Sequence, residues 1–229
     1  MKRIWKKGEE LIHMYSDSKN LIVKSVFPKF VISLFIAFFG MIIGFAFIPA
    51  SVAVFMPLVV VVLLIISFFV KLRKRKNGFT SNLSLKTVYF FVFLMGIGIY
   101  PSIAFYISDI GAQYVILAFG VTTIVFTLLA LYAYITKQDF SGLGSFLFIA
   151  LISLILLNVA GIWIQTDIFH IGLSLAGILI FSAYVLHDIS RMKHSGFSED
   201  DVPEAVLDLF LDFLNIFLDI LRLISIFKN

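Results

Sequence analysis

The chain has 229 residues, 61% hydrophobic and 14% charged, with a net charge of +4 and no cysteine; its mean hydropathy is +1.05. A soluble domain carries about one quarter charged residues, so this chain has too little polar surface to cover a soluble globule. Without thiols it can form no disulfide, iron–sulfur cluster or thiolate metal site.

The first stretch, residues 1–29, is basic, with Lys2, Arg3, Lys6, Lys7, Lys19, Lys24 and Lys29. It reads as a cytoplasmic segment in which Trp5, Leu11, Ile12 and Tyr15 form the apolar side of a short interfacial helix. The first apolar run after it is far longer than the core of a signal peptide, so a retained helix is expected. A bilayer core needs roughly 20 apolar residues in helix. Runs of that kind lie at about 30–48, 51–70, 87–107, 112–135, 143–164 and 168–187, and a less apolar seventh at about 205–227. The predicted fold is an all-α integral membrane protein with seven transmembrane helices, in one membrane domain over 30–228.

Ile48-Pro49-Ala50-Ser51 is the only break between the first two runs, so they form a tight hairpin. In the third, Gly96, Gly98 and Pro101 mark a kink or a close-packing point. Lys71, Arg73, Lys74, Arg75, Lys76 and Lys86 fall between the second and third runs, Lys137 after the fourth, and Arg191 with Lys193 after the sixth. Sixteen of the 18 basic residues therefore occupy alternate loops, and the loops around Pro49, Asp109 and Asp167 hold none. By the positive-inside rule the amino terminus is cytoplasmic and the carboxyl terminus external. The run Lys71–Lys76 either binds anionic lipid headgroups or serves only to set topology.

Acidic residues inside the last two runs carry the functional signal. A charge at mid-bilayer costs about 2.5–3.5 kcal/mol on insertion scales, so such residues face the bundle interior. Asp208, Asp212, Asn215, Asp219 and Arg222 are spaced by four, three, four and three, one stripe of a helix otherwise built of Leu, Ile and Phe. That stripe suits a protein-enclosed pathway or polar core. Asp219 and Arg222 form a structural or a gating ion pair, and Asp208 is expected near the cytoplasmic interface. Ser198-Glu199-Asp200-Asp201 before Pro203 predicts a capped helix start outside the membrane. Asp188, near the cytoplasmic end of the sixth helix, and Asp212 on its antiparallel neighbour then reach similar depth. Two carboxyls in contact share one proton and titrate as a unit; when ionised, their oxygens suit a transient Ca²⁺ contact. The alternative is interhelical hydrogen-bond glue. His187 points about 100° away from Asp188 and is expected at the interface.

The stretches Phe181-Ser-Ala-Tyr-Val-Leu-His-Asp188 and Leu211-Asp212-Phe213-Leu214-Asn215-Ile216-Phe217, with Leu221-Arg222, resemble the final two helices of the Bax inhibitor motif family of membrane proteins, its bacterial branch especially. Gly111-Ala112-Gln113-Tyr114-Val115, Ala118-Phe119-Gly120 and Asp139-Phe140-Ser141 resemble its fourth span and following turn. The resemblance implies seven helices with the carboxyl-terminal one central, and a pH-sensitive Ca²⁺ leak. It further implies a two-aspartate sensor at Asp188 and Asp212, with Lys71 or Arg73 as a latch. Two departures stand out: Leu117 replaces an acidic residue of some relatives, and Asp219 stands where an amide is commoner.

The expected function is a proton-modulated passive cation leak, with no resident cofactor and Ca²⁺ as the permeant ion. Its partners are the lipid bilayer, Ca²⁺ and protons, with no nucleic acid. The alternative is a non-conducting membrane regulator of stress or envelope homeostasis that acts through protein partners. No enzyme is expected. Gly142-Leu143-Gly144-Ser145-Phe146 lacks the final glycine of a rhomboid-like serine motif, and Leu209-Phe210-Leu211-Asp212 is no Gly-x-Gly-Asp segment. There is no His-Glu-x-x-His, and no lysine for a retinal before Lys228.

Overall fold

The computed structural model describes residues 17–63, 66 and 83–228. Among these every regular element is a helix. The helices are α1 (Asp17–Phe47) and α2 (Ala50–Leu63), α3 (Leu85–Asp109), α4 (Ala112–Ile135), α5 (Gly144–Ala160), α6 (Asp167–His194) and α7 (Val202–Lys228). Five are long and apolar enough to cross a membrane: α1, α3, α4, α5 with its leading turn from Ser141, and α6. α7 is as long, but Asp208, Asp212, Asp219 and Arg222 interrupt its apolar sequence. The protein is a multi-pass membrane helical bundle. α4 coincides with the predicted fourth span. α1 starts well before the first apolar run, passing through a π-helical turn at Ile22–Val26, and α6 runs on to His194 beyond the expected end. Lys71, Arg73 and the predicted apolar side of the amino-terminal stretch lie outside the described residues.

The chain divides into two compact units. One holds Lys24–Phe105 and Ser198–Phe210; the other holds the described residues up to Val23, Tyr106–Phe197 and the chain from Leu211 on. In the first unit, α1 and α3 meet backbone to backbone. A Cβ at Gly40 would strike the Phe93 carbonyl, one at Gly96 the Ala37 carbonyl, and one at Gly98 the Pro57 ring. The glycines of α3 are thus close-packing points, and the helix continues through Pro101. Lipid offers no hydrophobic drive between helices, so such close approach supplies the association. Ile48 is extended (φ −118, ψ 123), as the residue before a proline must be, and its carbonyl accepts a hydrogen bond from the Tyr100 hydroxyl. That bond ties the α1–α2 corner to α3. At the far end of the unit, Ser198 closes a capping box with Asp201, its hydroxyl 2.7 Å from Asp201 Oδ2, as the sequence predicts.

In the second unit, α6 packs against α4 and α5. Phe213 and Phe217 of α7 meet Phe119 of α4 edge-on, at 5.6 and 6.0 Å between ring centres. Phe126 meets Phe213 at 5.5 Å, the edge-to-face geometry aromatic rings prefer. The outward side chains are apolar, among them Ile116, Phe146, Ile149 and Leu156. α7 is the reverse: from Val202 to Ile226 no residue is exposed. The helix with the most charge is the one enclosed.

Candidate functional site

The enclosure of α7 decides where its polar stripe goes. Asp212 is 5% exposed and Asp188 of α6 is 9% exposed, and their carboxyl groups are close neighbours. A carboxyl–carboxyl hydrogen bond needs a proton between the two oxygens, because ionised carboxylates only accept. A proton held between them and then lost would leave a net charge in a site of low dielectric. The predicted antiparallel meeting of the two aspartates is the geometry found.

The rest of the stripe is sorted by depth. Asp208 is half-buried one turn before Asp212, in the stretch of α7 that belongs to the other unit. Asn215 turns its amide back on its own helix, donating to the Leu211 carbonyl at 2.7 Å, so it is a polar wall with its donor partly used. Asp219 is 9% exposed and pairs with Arg222 at 3.6 Å, the predicted i,i+3 contact. Arg222 also lies beside Tyr106 of α3. Nearby, Ser225 donates to Asp109 at 2.9 Å.

His187 departs from the expectation of an interfacial side chain. It is 7% exposed, and its Nδ1 lies 3.1 Å from the Phe140 carbonyl. A carbonyl cannot donate, so Nδ1 carries the proton, and Nε2 lies 3.9 Å from Asp188 Oδ1. The ring lies on Gly144, where a Cβ would come within 3.1 Å of it. The 100° between successive positions is what separates the roles: Asp188 faces α7, His187 the turn between α4 and α5.

That turn is held by a second polar group which the sequence reading passed over. The Ser190 hydroxyl donates to Asp139 at 3.0 Å and accepts from the Phe140 amide at 2.8 Å, while His194 lies 3.5 Å from Asp139. Hydrogen bonds from Ser141 first, then from Ser190, with His194 beside them, hold the Asp139 carboxyl down at about 2. Lys193 is 1% exposed and donates to the carbonyls of Ala133 at 2.8 Å and Thr136 at 2.7 Å. It caps α4, whose last carbonyls have no partner within the helix and carry the negative end of its dipole. In sequence Lys193 is one more loop cation. The spacing of His187, Ser190 and His194, three then four, is the signal that places a polar face on this end of α6.

Among the described residues no three His, Asp or Glu side chains are grouped to hold a metal ion. Two carboxyls fall well short of the six to eight oxygens of a resident Ca²⁺ site, so any Ca²⁺ contact at the pair would be that of a passing ion.

The sequence comparisons agree with this architecture. An uncharacterized protein of Helicobacter pylori (strain J99) is 32% identical over 208 residues, covering 90% of this chain and 87% of its own. The Golgi anti-apoptotic protein of vaccinia virus (strain Lister) is 37% identical over 109 residues, 48% of this chain and 46% of its own. The inner membrane protein YbhL of Escherichia coli K12 is 32% identical over 114 residues, 46% of this chain and 49% of its own. Residues 19–229 match the family described as Inhibitor of apoptosis-promoting Bax1, and the chain belongs to that Bax inhibitor family of multi-pass membrane proteins.

Proposed function

We propose that this protein is a passive cation leak, with Ca²⁺ as the principal permeant ion, whose conductance is set by the proton shared between Asp188 and Asp212. The single observation that carries this reading is the close approach of two buried carboxyls, Asp188 of α6 and Asp212 of α7. A proton added or removed there changes net charge inside a bundle, and such a change biases a helix pair with two arrangements. Asp208, Asn215, Asp219 and Arg222 continue the polar surface along α7, and Lys71 or Arg73 is the candidate latch. The membrane is a bacterial inner membrane, a placement supported by the likeness to YbhL. The amino terminus is cytoplasmic and the carboxyl terminus external, following the distribution of Lys and Arg.

The test is Ca²⁺ flux into liposomes holding the purified protein, from about pH 5 to about pH 8, a range into which burial can raise a carboxyl's titration. The parent should show pH-dependent flux, and Asp188→Asn and Asp212→Asn should each abolish the dependence. No flux above empty liposomes at any pH would overturn the leak. The name of the viral relative favours a second reading, a non-conducting regulator acting through protein partners. In that case both variants would keep the biological phenotype and changes in the surface loops would remove it.

A further inference from the structure

The turn between α4 and α5 grips α6 at the positions that flank Asp188. Phe140 uses both of its backbone polar groups for this. Its carbonyl accepts from His187 Nδ1 at 3.1 Å, and its amide donates to the Ser190 hydroxyl at 2.8 Å. Ser190 donates in turn to Asp139 Oδ1 at 3.0 Å. The same carboxylate oxygen accepts from the Ser141 amide at 2.8 Å, which fixes Asp139 within the turn. Ser190 is fully buried, so its bonds to the turn are not exchanged with solvent.

These contacts have a definite direction around the helix. At 100° per residue, His187, Ser190 and His194 fall within about 60° of one another and about 100° or more from Asp188. Lys193 lies about 140° from Asp188 in the opposite sense, and it is held by the carbonyls of Ala133 and Thr136. The end of α4 and the turn after it thus engage the back of α6. Asp188 projects from the remaining side, where it meets Asp212 of α7. In lipid, helices associate through close packing and interhelical hydrogen bonds rather than through a hydrophobic drive. Turning α6 by one position, about 100°, would break the bonds of His187 and Ser190 and carry Asp188 away from α7. The buried donors and acceptors left behind oppose that rotation.

We propose that the Asp139–Ser141 turn is a positioning element, which through Ser190 and His187 sets the rotation of α6 that holds Asp188 against Asp212. Ser190 is its central positioning residue, because one hydroxyl joins the turn's backbone and the Asp139 carboxyl at once. The turn is thereby part of the aspartate site, although it adds no carboxyl to the pair. Its bearing on conductance rests on the leak reading above; the positioning of Asp188 does not.

Solid-state NMR on the reconstituted full chain, with isotope-labelled aspartate carboxyl carbons, reads this contact. The parent should show a cross-peak between Asp188 and Asp212, identified by its loss in Asp188→Asn and in Asp212→Asn. Ser190→Ala should weaken that cross-peak several-fold, and so should Asp139→Ala. Asp139→Asn keeps an acceptor oxygen for Ser190 and should retain it. The Asp109 carbon, bonded to Ser225 near the far end of α7 at 2.9 Å, should hold its shift throughout, which separates a turned α6 from an unfolded chain. A parent without the cross-peak would overturn the proposal, and so would a cross-peak undiminished by Ser190→Ala. Should Ser190→Ala displace the Asp109 signal, the contrast between Asp139→Ala and Asp139→Asn decides, because that side chain is half exposed. Absence of flux from a parent whose cross-peak depends on Ser190 would sink the leak and leave the positioning role standing.

Discussion

α5 and α7 are built from the same apolar residues and face opposite surroundings. α5 is almost wholly Leu, Ile, Phe and small residues, and Phe146, Ile149 and Leu156 stand about two-thirds exposed. α7 carries three aspartates and an arginine, yet exposes nothing before Phe227. In water the ordering would be reversed, with the apolar helix inside. In a bilayer the apolar helix meets lipid and the charged one must be enclosed by protein, because hydrocarbon offers no partner to a carboxylate. Reading burial from hydrophobicity therefore gives the wrong answer here, and reading it from charge gives the right one.

The contrast is sharpest at the enclosed polar contacts, where substitution should cost most. Lys193→Met leaves the carbonyls of Ala133 and Thr136 without their donor, at about 1–3 kcal/mol for each buried group. A large fall in thermal unfolding temperature in detergent is expected, with proteolysis increased near residues 133–140; unchanged stability would mean that solvent or another donor serves those carbonyls. Next comes Gly96→Ala, where the added methyl meets the Ala37 backbone. Overpacking of this kind costs about 1–3 kcal/mol. A variant as stable as the parent would show that α1 and α3 part easily.

Asp139→Asn should have a smaller effect, confined by pH. The carboxyl is held at about 2, below its ordinary value of 3.8. Its contribution is therefore complete above the ordinary carboxylate range and is lost as pH falls from about 4 through about 2. Stability of parent and variant should differ modestly at neutral pH and converge in strong acid. The group is half exposed to solvent, so the difference should remain within about 1 kcal/mol. Smallest of all is Leu156→Ala on α5. Its side chain faces lipid, and a change within about 0.5 kcal/mol is expected. A large loss there would break the comparison, because it would place α5 against protein.

Some of the site was legible before any coordinates because its signals are periodic. The four-three-four-three spacing from Asp208 to Arg222 fixes one stripe of a helix, and a stripe of acids in an apolar helix fixes which side is enclosed. Ser198 with Asp201 announces the start of α7 through local hydrogen bonding alone. His187 and Lys193 were misread for the same reason as each other. Beside a membrane boundary a histidine or lysine has an easy solvated position, and only the turn at Asp139–Ser141 and the open carbonyls of α4 supply a better one.

By itself the sequence determined the all-helical membrane architecture, the limits of most helices and the pairing of Asp219 with Arg222. Each follows from chain-local quantities: apolar length, turn residues and a 3.6-residue period. Tertiary structure alone decided that the buried Asp188 and Asp212 carboxyls come together, that Lys193 caps α4, and that Gly177 makes room for Asp219. Those contacts join helices distant in the chain, and their geometry is set by how closely the backbones approach, which no single helix records.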